Sequence, residues 1–238
     1  MPWLLVGYAS IWLIWIPLRD REKRRGKRAL ATVIKVIPTL MAALTALYAC
    51  LMWPADTAAW LMCAGIGLGA LADAVLEYRF KLGGFLFFSA HCLYIAAFLR
   101  LYPPGGATVI ALLAAIGLAF LFMGRYGARI MGAALRVGGS IYALTLCALL
   151  AVALPAPFLQ GGLRETLGAV GAGLFVLSDA LLCRNSVVHR MARAREAENR
   201  TKNPQAERRR VVVERITLGC YYTAQATLAL SVIVAHAV

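Results

Sequence analysis

Two aspartates lie inside long apolar runs of this chain, and the residues around them match. The segment 67–76 aligns without a gap with 173–182, six of the ten positions are identical, and the alignment pairs Asp73 with Asp179. A carboxylate in the middle of a bilayer costs about 2.5–3.5 kcal/mol even on the most lenient insertion scale. A chain that carries two of them in matching settings is therefore expected to use them as a pair, for chemistry or for transport. In a low-dielectric pocket, two carboxyl groups can divide the roles of proton donor and ionised base.

The composition predicts that membrane-spanning helices hold these aspartates. The 238 residues are 61% hydrophobic with a mean hydropathy of +0.73, whereas soluble domains are about 45–50% apolar. Helices satisfy their own backbone groups in lipid, and a span needs about 20 residues. We predict one all-α, polytopic membrane domain over residues 1–238, with 184–211 as a basic cytoplasmic loop in which 189–210 either forms a surface helix or stays disordered. Its eight transmembrane helices are expected at about 2–18, 30–53, 58–76, 83–99, 106–123, 133–153, 164–183 and 212–236.

The positive charge follows the pattern of a membrane topology. The formal net charge is +14, and 22 of the 25 Lys and Arg residues lie in four alternate connections. By the positive-inside rule, these connections are cytoplasmic and both termini lie outside. Anionic lipid head groups account for the basic charge, so no nucleic-acid partner is predicted. The compact connections favour a bacterial cytoplasmic (inner) membrane.

Five of the predicted helices carry ionisable or hydrogen-bonding side chains at a similar depth. At about 1.5 Å rise per residue, all of them fall in the cytoplasmic half of the membrane. If these helices surround a common centre, their side chains form a polar pocket that opens toward the cytoplasm. The candidate residues are Lys35, Asp73, His91, Tyr94, Ser178, Asp179, Tyr221, Tyr222 and Gln225.

Each of these side chains also has a structural explanation. Lys35 could pair with an aspartate or extend to the membrane surface, and His91 could be buried against a carbonyl group. Ser178 could bond back to its own helix, and Gln225 could join two helices. The tyrosines could pack near the interface.

The matched aspartate segments also suggest a duplication. They lie 106 residues apart, each in the third helix of a predicted set of four. A parallel 4+4 repeat would place the two aspartates symmetrically about a central axis.

The order and spacing of the polar motifs resemble those of one family, the YhhN family of lysoplasmalogenases, over about residues 3–236. The motifs are Lys35–x–x–Pro38, then Gly69–x–x–x–Asp73–x–x–Leu76, then Phe80…Gly84…Phe88…His91–x–x–Tyr94, then Ala172–x–x–Phe175–x–x–Ser178–Asp179, and finally Tyr221–Tyr222–x–x–Gln225.

The resemblance implies hydrolysis of the vinyl ether bond of lysoplasmalogens. A lysophospholipid would be the substrate and membrane lipids the surroundings. The products would be a fatty aldehyde and glycerophosphoethanolamine or glycerophosphocholine. Protonation of the outer vinyl carbon gives an oxocarbenium ion, as in glycoside hydrolysis by paired carboxylates. The two aspartates are then the catalytic acid and base, and the other candidate residues bind substrate and water. The reaction requires no metal and no cofactor.

A transporter is the alternative. Carboxylates within the membrane and internal repeats are also found in proton-coupled carriers of small molecules or lipids. The clustering of polar groups on one side of the membrane argues against alternating access. A structural or sensory role leaves the paired aspartates unexplained.

Overall fold

A computed structural model of the protein describes residues 10–126, 133–199 and 204–235, and the described residues are almost entirely helical. A π-helical turn, Ile11–Trp15, leads into α1, and a single helical turn, Ala156–Leu159, follows α6. The longer helices are α1 (Ile16–Arg24), α2 (Arg28–Met52), α3 (Thr57–Leu76), α4 (Phe80–Leu101), α5 (Gly106–Tyr126), α6 (Ala133–Ala153), α7 (Leu163–Asn199) and α8 (Pro204–Val234). The predicted all-α class is confirmed for these residues.

Six stretches among the described residues are long and apolar enough to cross a membrane. They are Arg28–Met52, Thr57–Leu76, Phe80–Leu101, Val137–Leu159, Leu163–Ser186 and Glu207–Val234, and Gly106–Leu121 is a shorter apolar helix. Residues 2–9 of the first predicted span, 2–18, lie outside the described residues. Its described end leads into α1, a short polar helix. The count of eight spans, the repeat and the sidedness stay predictions.

The basic connection 184–211 is largely helical, which is one of the two conformations left open for it by the sequence. Helix α7 continues to Asn199 and α8 begins at Pro204, so the two helices cover most of the segment. The physical reason is composition: the segment is rich in Ala, Arg and Glu, which are strong helix formers. Residues 200–203 lie outside the described part of the chain.

Contacts between helix ends show which ends of α1, α3, α4, α7 and α8 lie together. At one end, Arg164 at the start of α7 lies 3.3 Å from Asp56, which precedes α3, and the Tyr102 hydroxyl donates to Glu165 at 3.0 Å. At the other end, Arg19 of α1 meets Glu77, just after α3, and Glu214 of α8. Three of the four basic connections are therefore brought to one end of the molecule. This arrangement agrees with the predicted alternation of charge.

Small residues let α3 lie close to its neighbours, as in many membrane bundles. Helix α3 packs between α2 and α4, and α8 packs on α7 while also crossing α2 and α3. A Cβ on Gly83 would come 2.5 Å from the backbone of Leu76, so only glycine allows this approach at the start of α4. Large apolar side chains of α5, such as Ile110 and Phe120, are exposed, as expected for a lipid-facing surface.

Candidate active site

Asp73 is buried in a cluster of polar groups from three helices. Its Oδ2 accepts a hydrogen bond from the Thr39 hydroxyl of α2 at 2.9 Å, and its Oδ1 lies 3.5 Å from the Lys35 ammonium. The two α2 residues are four apart, so they lie on the same face of the helix. The Tyr221 hydroxyl of α8 lies 3.4 Å from Thr39 Oγ1. An ammonium group and a hydroxyl donor together compensate a negative charge on Asp73.

Hydrogen bonds extend the Asp73 cluster into the centre of the bundle. Gln225 donates from Nε2 to the Tyr221 hydroxyl at 3.2 Å, and its Oε1 accepts from the Tyr94 hydroxyl at 2.9 Å. Glycines on α3 make room for this chain. A Cβ on Gly69 would come 2.7 Å from Gln225 Nε2, and a Cβ on Gly65 would collide with the Tyr94 ring. The glycine spacing of α3 therefore shapes the wall of the site.

Asp179 lies in a second cluster with different partners. Its Oδ2 accepts a hydrogen bond from the Tyr142 hydroxyl of α6 at 2.7 Å, and His91 Nε2 of α4 lies 3.8 Å from the same oxygen. His91 Nδ1 lies 2.6 Å from the Phe87 carbonyl oxygen. That distance assigns the Nδ1 position as the donor, which leaves the Nε2 lone pair facing Asp179. Among the described residues, no lysine or arginine lies within 4 Å of Asp179.

His91 Nε2 is fully buried and has no hydrogen-bond partner among the described groups. A buried polar atom without a partner is uncommon and calls for an explanation. Its distance of 3.8 Å from Asp179 is too long for a direct hydrogen bond. The separation is suited to a bridging water or a substrate oxygen.

A set of packed rings connects the two clusters. Phe175 lies edge-on to His91 with ring centroids 4.7 Å apart, and edge-on to Tyr221 with centroids 5.4 Å apart. Tyr94 contacts both His91 and Phe175. Among the described residues, the two aspartates share no hydrogen-bond partner, so the single polar pocket expected from the sequence is divided into two linked clusters.

Comparison with known proteins identifies the chain. The model of the YhhN family matches residues 30–232, which is most of the sequence. The chain belongs to the YhhN family. Neither the curated proteins nor the solved structures compared with it gave a match.

In this YhhN family member, the matched region contains every candidate residue of both clusters. It also contains two partly exposed carboxylates, Glu77 and Glu214, which lie beside the Asp73 cluster and share Arg19 as a partner. Lys35 Nζ lies 3.2 Å from Glu77 Oε1 and 3.5 Å from Asp73, so it bridges the two carboxyl groups. Burial by itself would raise the pKa of Glu77, but Lys35 and Arg19 hold that pKa below its usual value.

Two further predicted residues make helix-to-helix contacts with α8 or from it. Ser178 donates to the Thr217 carbonyl of α8 at 3.1 Å, rather than to its own helix. Tyr222 donates to the Lys35 carbonyl at 2.9 Å. Both bonds tie α8 to a helix that carries candidate residues, so these two side chains have a positioning role in the described structure.

Three further residues contact the candidate residues and were not predicted from the sequence: Thr39, Glu77 and Tyr142. Each carried a signal. Thr39 lies one helical turn after Lys35, Glu77 one turn after Asp73, and Tyr142 is a polar side chain in the inner half of a predicted span. For Thr39 and Glu77, the signal was a hydrogen-bonding side chain one turn away from a candidate residue on the same helix face.

Among the described residues, no group of three or more His, Cys, Asp or Glu side chains is arranged to hold a metal ion.

Proposed function

We propose that this YhhN protein hydrolyses the vinyl ether bond of lysoplasmalogens, releasing a fatty aldehyde and a glycerophospho-ethanolamine or -choline. Membership of the YhhN family supports the proposal at the level of the family. The observation that carries it for this chain is the pair of aspartates inside apolar helices, each with different hydrogen-bonding partners. Vinyl ether hydrolysis needs two such unlike groups: one donates a proton, and the other stabilises the cation or activates the attacking water.

The reaction begins with a proton transfer to carbon. An acid gives its proton to the outer vinyl carbon, and the electron pair of the C=C bond forms the new C–H bond. The remaining cation is shared between the inner carbon and the ether oxygen. Water adds to the inner carbon and loses a proton to a base. The hemiacetal then breaks its bond to the glycerol oxygen, which receives a proton, and the aldehyde leaves.

Asp179 is the better-placed acid. It lies beside the Tyr142 hydroxyl, which can stabilise the carboxylate left after proton transfer, and beside the free lone pair of His91 Nε2. His91, held by its bond to the Phe87 carbonyl, orients a water or a substrate oxygen next to this carboxyl group. A general acid positioned in this way contributes about 10²–10⁴-fold to the rate.

Asp73 is better placed than Asp179 to act in its ionised form. The Lys35 ammonium and the Thr39 hydroxyl both favour a negative charge there. A fixed carboxylate stabilises the oxocarbenium ion and accepts the proton of the attacking water. Tyr94, Tyr221 and Gln225 form the hydrogen-bonded wall along which the substrate oxygens bind. The aromatic contacts of Phe175 with His91 and Tyr221 join the two clusters.

Mass spectrometry of the products formed in heavy water tests the proposal directly. The purified protein in detergent is incubated with a lysoplasmalogen in D₂O, and the aldehyde is reduced immediately to the alcohol. Protonation of the outer carbon predicts exactly one deuterium on the carbon next to the former aldehyde carbon. Asp179→Asn should abolish product, whereas Asp56→Asn should retain it, because Asp56 caps α3 at the opposite end of the molecule and asparagine is also a good cap.

One result would reject the hydrolase proposal, and a second would reject the assignment of Asp179 as its acid. One is the absence of any turnover by folded, monodisperse protein, which would favour transport and lead to liposome flux assays. The other is full activity in a folded Asp179→Asn variant, which would remove the acid from the mechanism.

A further inference from the structure

Glu77 places a carboxylate between two buried cations from different helices. Its Oε1 lies 3.2 Å from Lys35 Nζ of α2 and 3.7 Å from Arg19 Nη2 of α1. The two cations are almost entirely buried, with side chains 7% and 5% exposed, whereas the Glu77 side chain is 24% exposed. The bridging carboxylate is therefore the most exposed of these three side chains.

The other carboxylates nearby have partners of their own. Glu214 Oε1 lies 2.7 Å from both Arg19 Nη1 and Lys23 Nζ. Asp20 lies 2.7 Å from Arg215. If Glu77 moved away, Arg19 would keep two carboxylate contacts and Lys35 would keep Asp73. The site between Lys35 and Arg19 would then be open to another oxyanion.

A lysophospholipid carries one such oxyanion at a suitable distance from its reactive bond. Its phosphate is separated from the vinyl ether oxygen by the three carbons of glycerol. Lys35 is in contact with both Glu77 and Asp73, so a phosphate in the place of the Glu77 carboxylate would put the glycerol beside Asp73. Arginine and lysine are the side chains that proteins commonly use for phosphate.

We propose that the phosphodiester of the substrate head group binds between Lys35 and Arg19 by displacing the carboxylate of Glu77. This inference rests on the proposed function for the identity of the ligand. It assigns a binding role to Arg19 and makes Glu77 an internal competitor that occupies the anion site when no substrate is bound. The exchange of one anion for another keeps the two buried cations compensated throughout.

The first test measures binding without turnover. Glycerophosphoethanolamine is titrated into the detergent-solubilised protein by calorimetry, with ethanolamine and glycerol as phosphate-free probes. Saturable binding of the first probe alone is expected. Glu77→Gln should tighten it severalfold by weakening the competitor. Arg19→Met should weaken it about tenfold or more, since hydrogen bonds between charged groups are among the strong ones.

Controls distinguish a binding site from a structural ion cluster. Arg164→Met breaks an ion pair at the opposite end of the molecule and should leave binding unchanged. Arg19→Lys keeps the charge if Arg19→Met fails to fold, and an intermediate affinity is expected because lysine cannot make the bidentate contact. Equal affinities in the parent, Glu77→Gln and Arg19→Lys proteins, or no saturable binding by the parent, would overturn the inference.

The outcome is separable from that of the hydrolase proposal. Asp179→Asn should lose turnover but bind glycerophosphoethanolamine as the parent does. Phosphate-dependent binding without hydrolysis by the parent would keep the head-group site and reject the reaction. Hydrolysis with equal KM values for a lysoplasmalogen and for the corresponding phosphate-free alkenylglycerol would keep the reaction and reject the site.

Discussion

The two aspartates have similar surroundings in sequence and different surroundings in space. Each is contacted by the helix that precedes its own in the predicted set of four: α2 contributes Lys35 and Thr39 to Asp73, and α6 contributes Tyr142 to Asp179. Each cluster also contains a residue from the other half of the chain. Helix α8 supplies Tyr221 to the Asp73 cluster, and α4 supplies His91 to Asp179.

One position of the matched segments accounts for much of the difference. Gly69 of the first segment aligns with Phe175 of the second. The absent side chain at Gly69 admits the amide of Gln225, so a hydrogen-bonded chain reaches the Asp73 cluster. The Phe175 ring instead packs on His91 and Tyr221. Matching segments thus produce unlike sites, because this one position and the partner helices together decide the local chemistry.

Removing either carboxylate should have the largest effect on activity. Asp73→Asn and Asp179→Asn are each expected to lower kcat by about 10²–10⁴-fold, the usual contribution of a positioned acid or base. Steady-state kinetics on folded protein measures this, with Asp56→Asn as the control. If only one of the two variants loses activity, that aspartate is catalytic and the other has a structural role.

Loss of the Lys35 ammonium should destabilise one site and not the other. Lys35→Met leaves Asp73 buried without a cation, and breaking a buried pair costs about 3–5 kcal/mol. The double variant Lys35→Met/Asp73→Asn should recover most of that stability while remaining inactive. Unfolding in detergent measures both variants. No recovery in the double variant would mean that Lys35 stabilises the fold through Glu77 rather than through Asp73.

Tyr142→Phe removes the hydroxyl donor of Asp179. We expect kcat to fall about tenfold or more, because a hydrogen bond to a charged group contributes about 1.5–3 kcal/mol. Tyr48→Phe, on an exposed side chain of α2, is the matched control. Because Tyr142→Phe keeps the ring that packs against His91 and removes only the hydroxyl that contacts Asp179, the unfolding temperature should change less than in Lys35→Met. Unchanged kinetics would remove Tyr142 from the acid cluster.

The glycine that admits Gln225 can be tested with a neighbouring glycine as control. Gly69→Ala would place a Cβ 2.7 Å from Gln225 Nε2 and should cost about 1–3 kcal/mol with reduced activity. Gly67→Ala meets nothing within 4 Å, and alanine there should be neutral or slightly stabilising. Equal effects of the two substitutions on unfolding would show that the hydrogen-bonded chain tolerates a shift.

The smallest effect concerns pH and the Glu77 carboxylate. Its pKa lies below the ordinary value of 4.5, so its ionised form contributes stability above about pH 4.5, and this is lost as the pH falls through the lowered pKa. The unfolding temperature should therefore decline on acidification, less steeply in Glu77→Gln. Glu207→Gln, at the exposed start of α8, should follow the parent. If the unfolding temperatures of the parent and Glu77→Gln depend on pH in the same way, the lowered pKa of Glu77 is contradicted.

Much of this architecture can be predicted from the amino-acid sequence. Apolar runs predict the helices that satisfy their backbone in lipid, and the described helices Arg28–Met52, Thr57–Leu76 and Phe80–Leu101 lie close to the expected 30–53, 58–76 and 83–99. For the basic connection 184–211 the sequence left a surface helix and disorder both open, because apolar character marks where a helix leaves the membrane and not where it ends.

The chain by itself determined the all-helical class, its membership of the YhhN family and the residue types available for chemistry. Only the tertiary structure decided which partner each aspartate receives. Helical periodicity tells which side chains share a face, but not which helix packs against that face. The deciding contacts join residues far apart in sequence: Thr39 with Asp73 across 34 positions, Tyr142 with Asp179 across 37, and Tyr94 with Gln225 across 131.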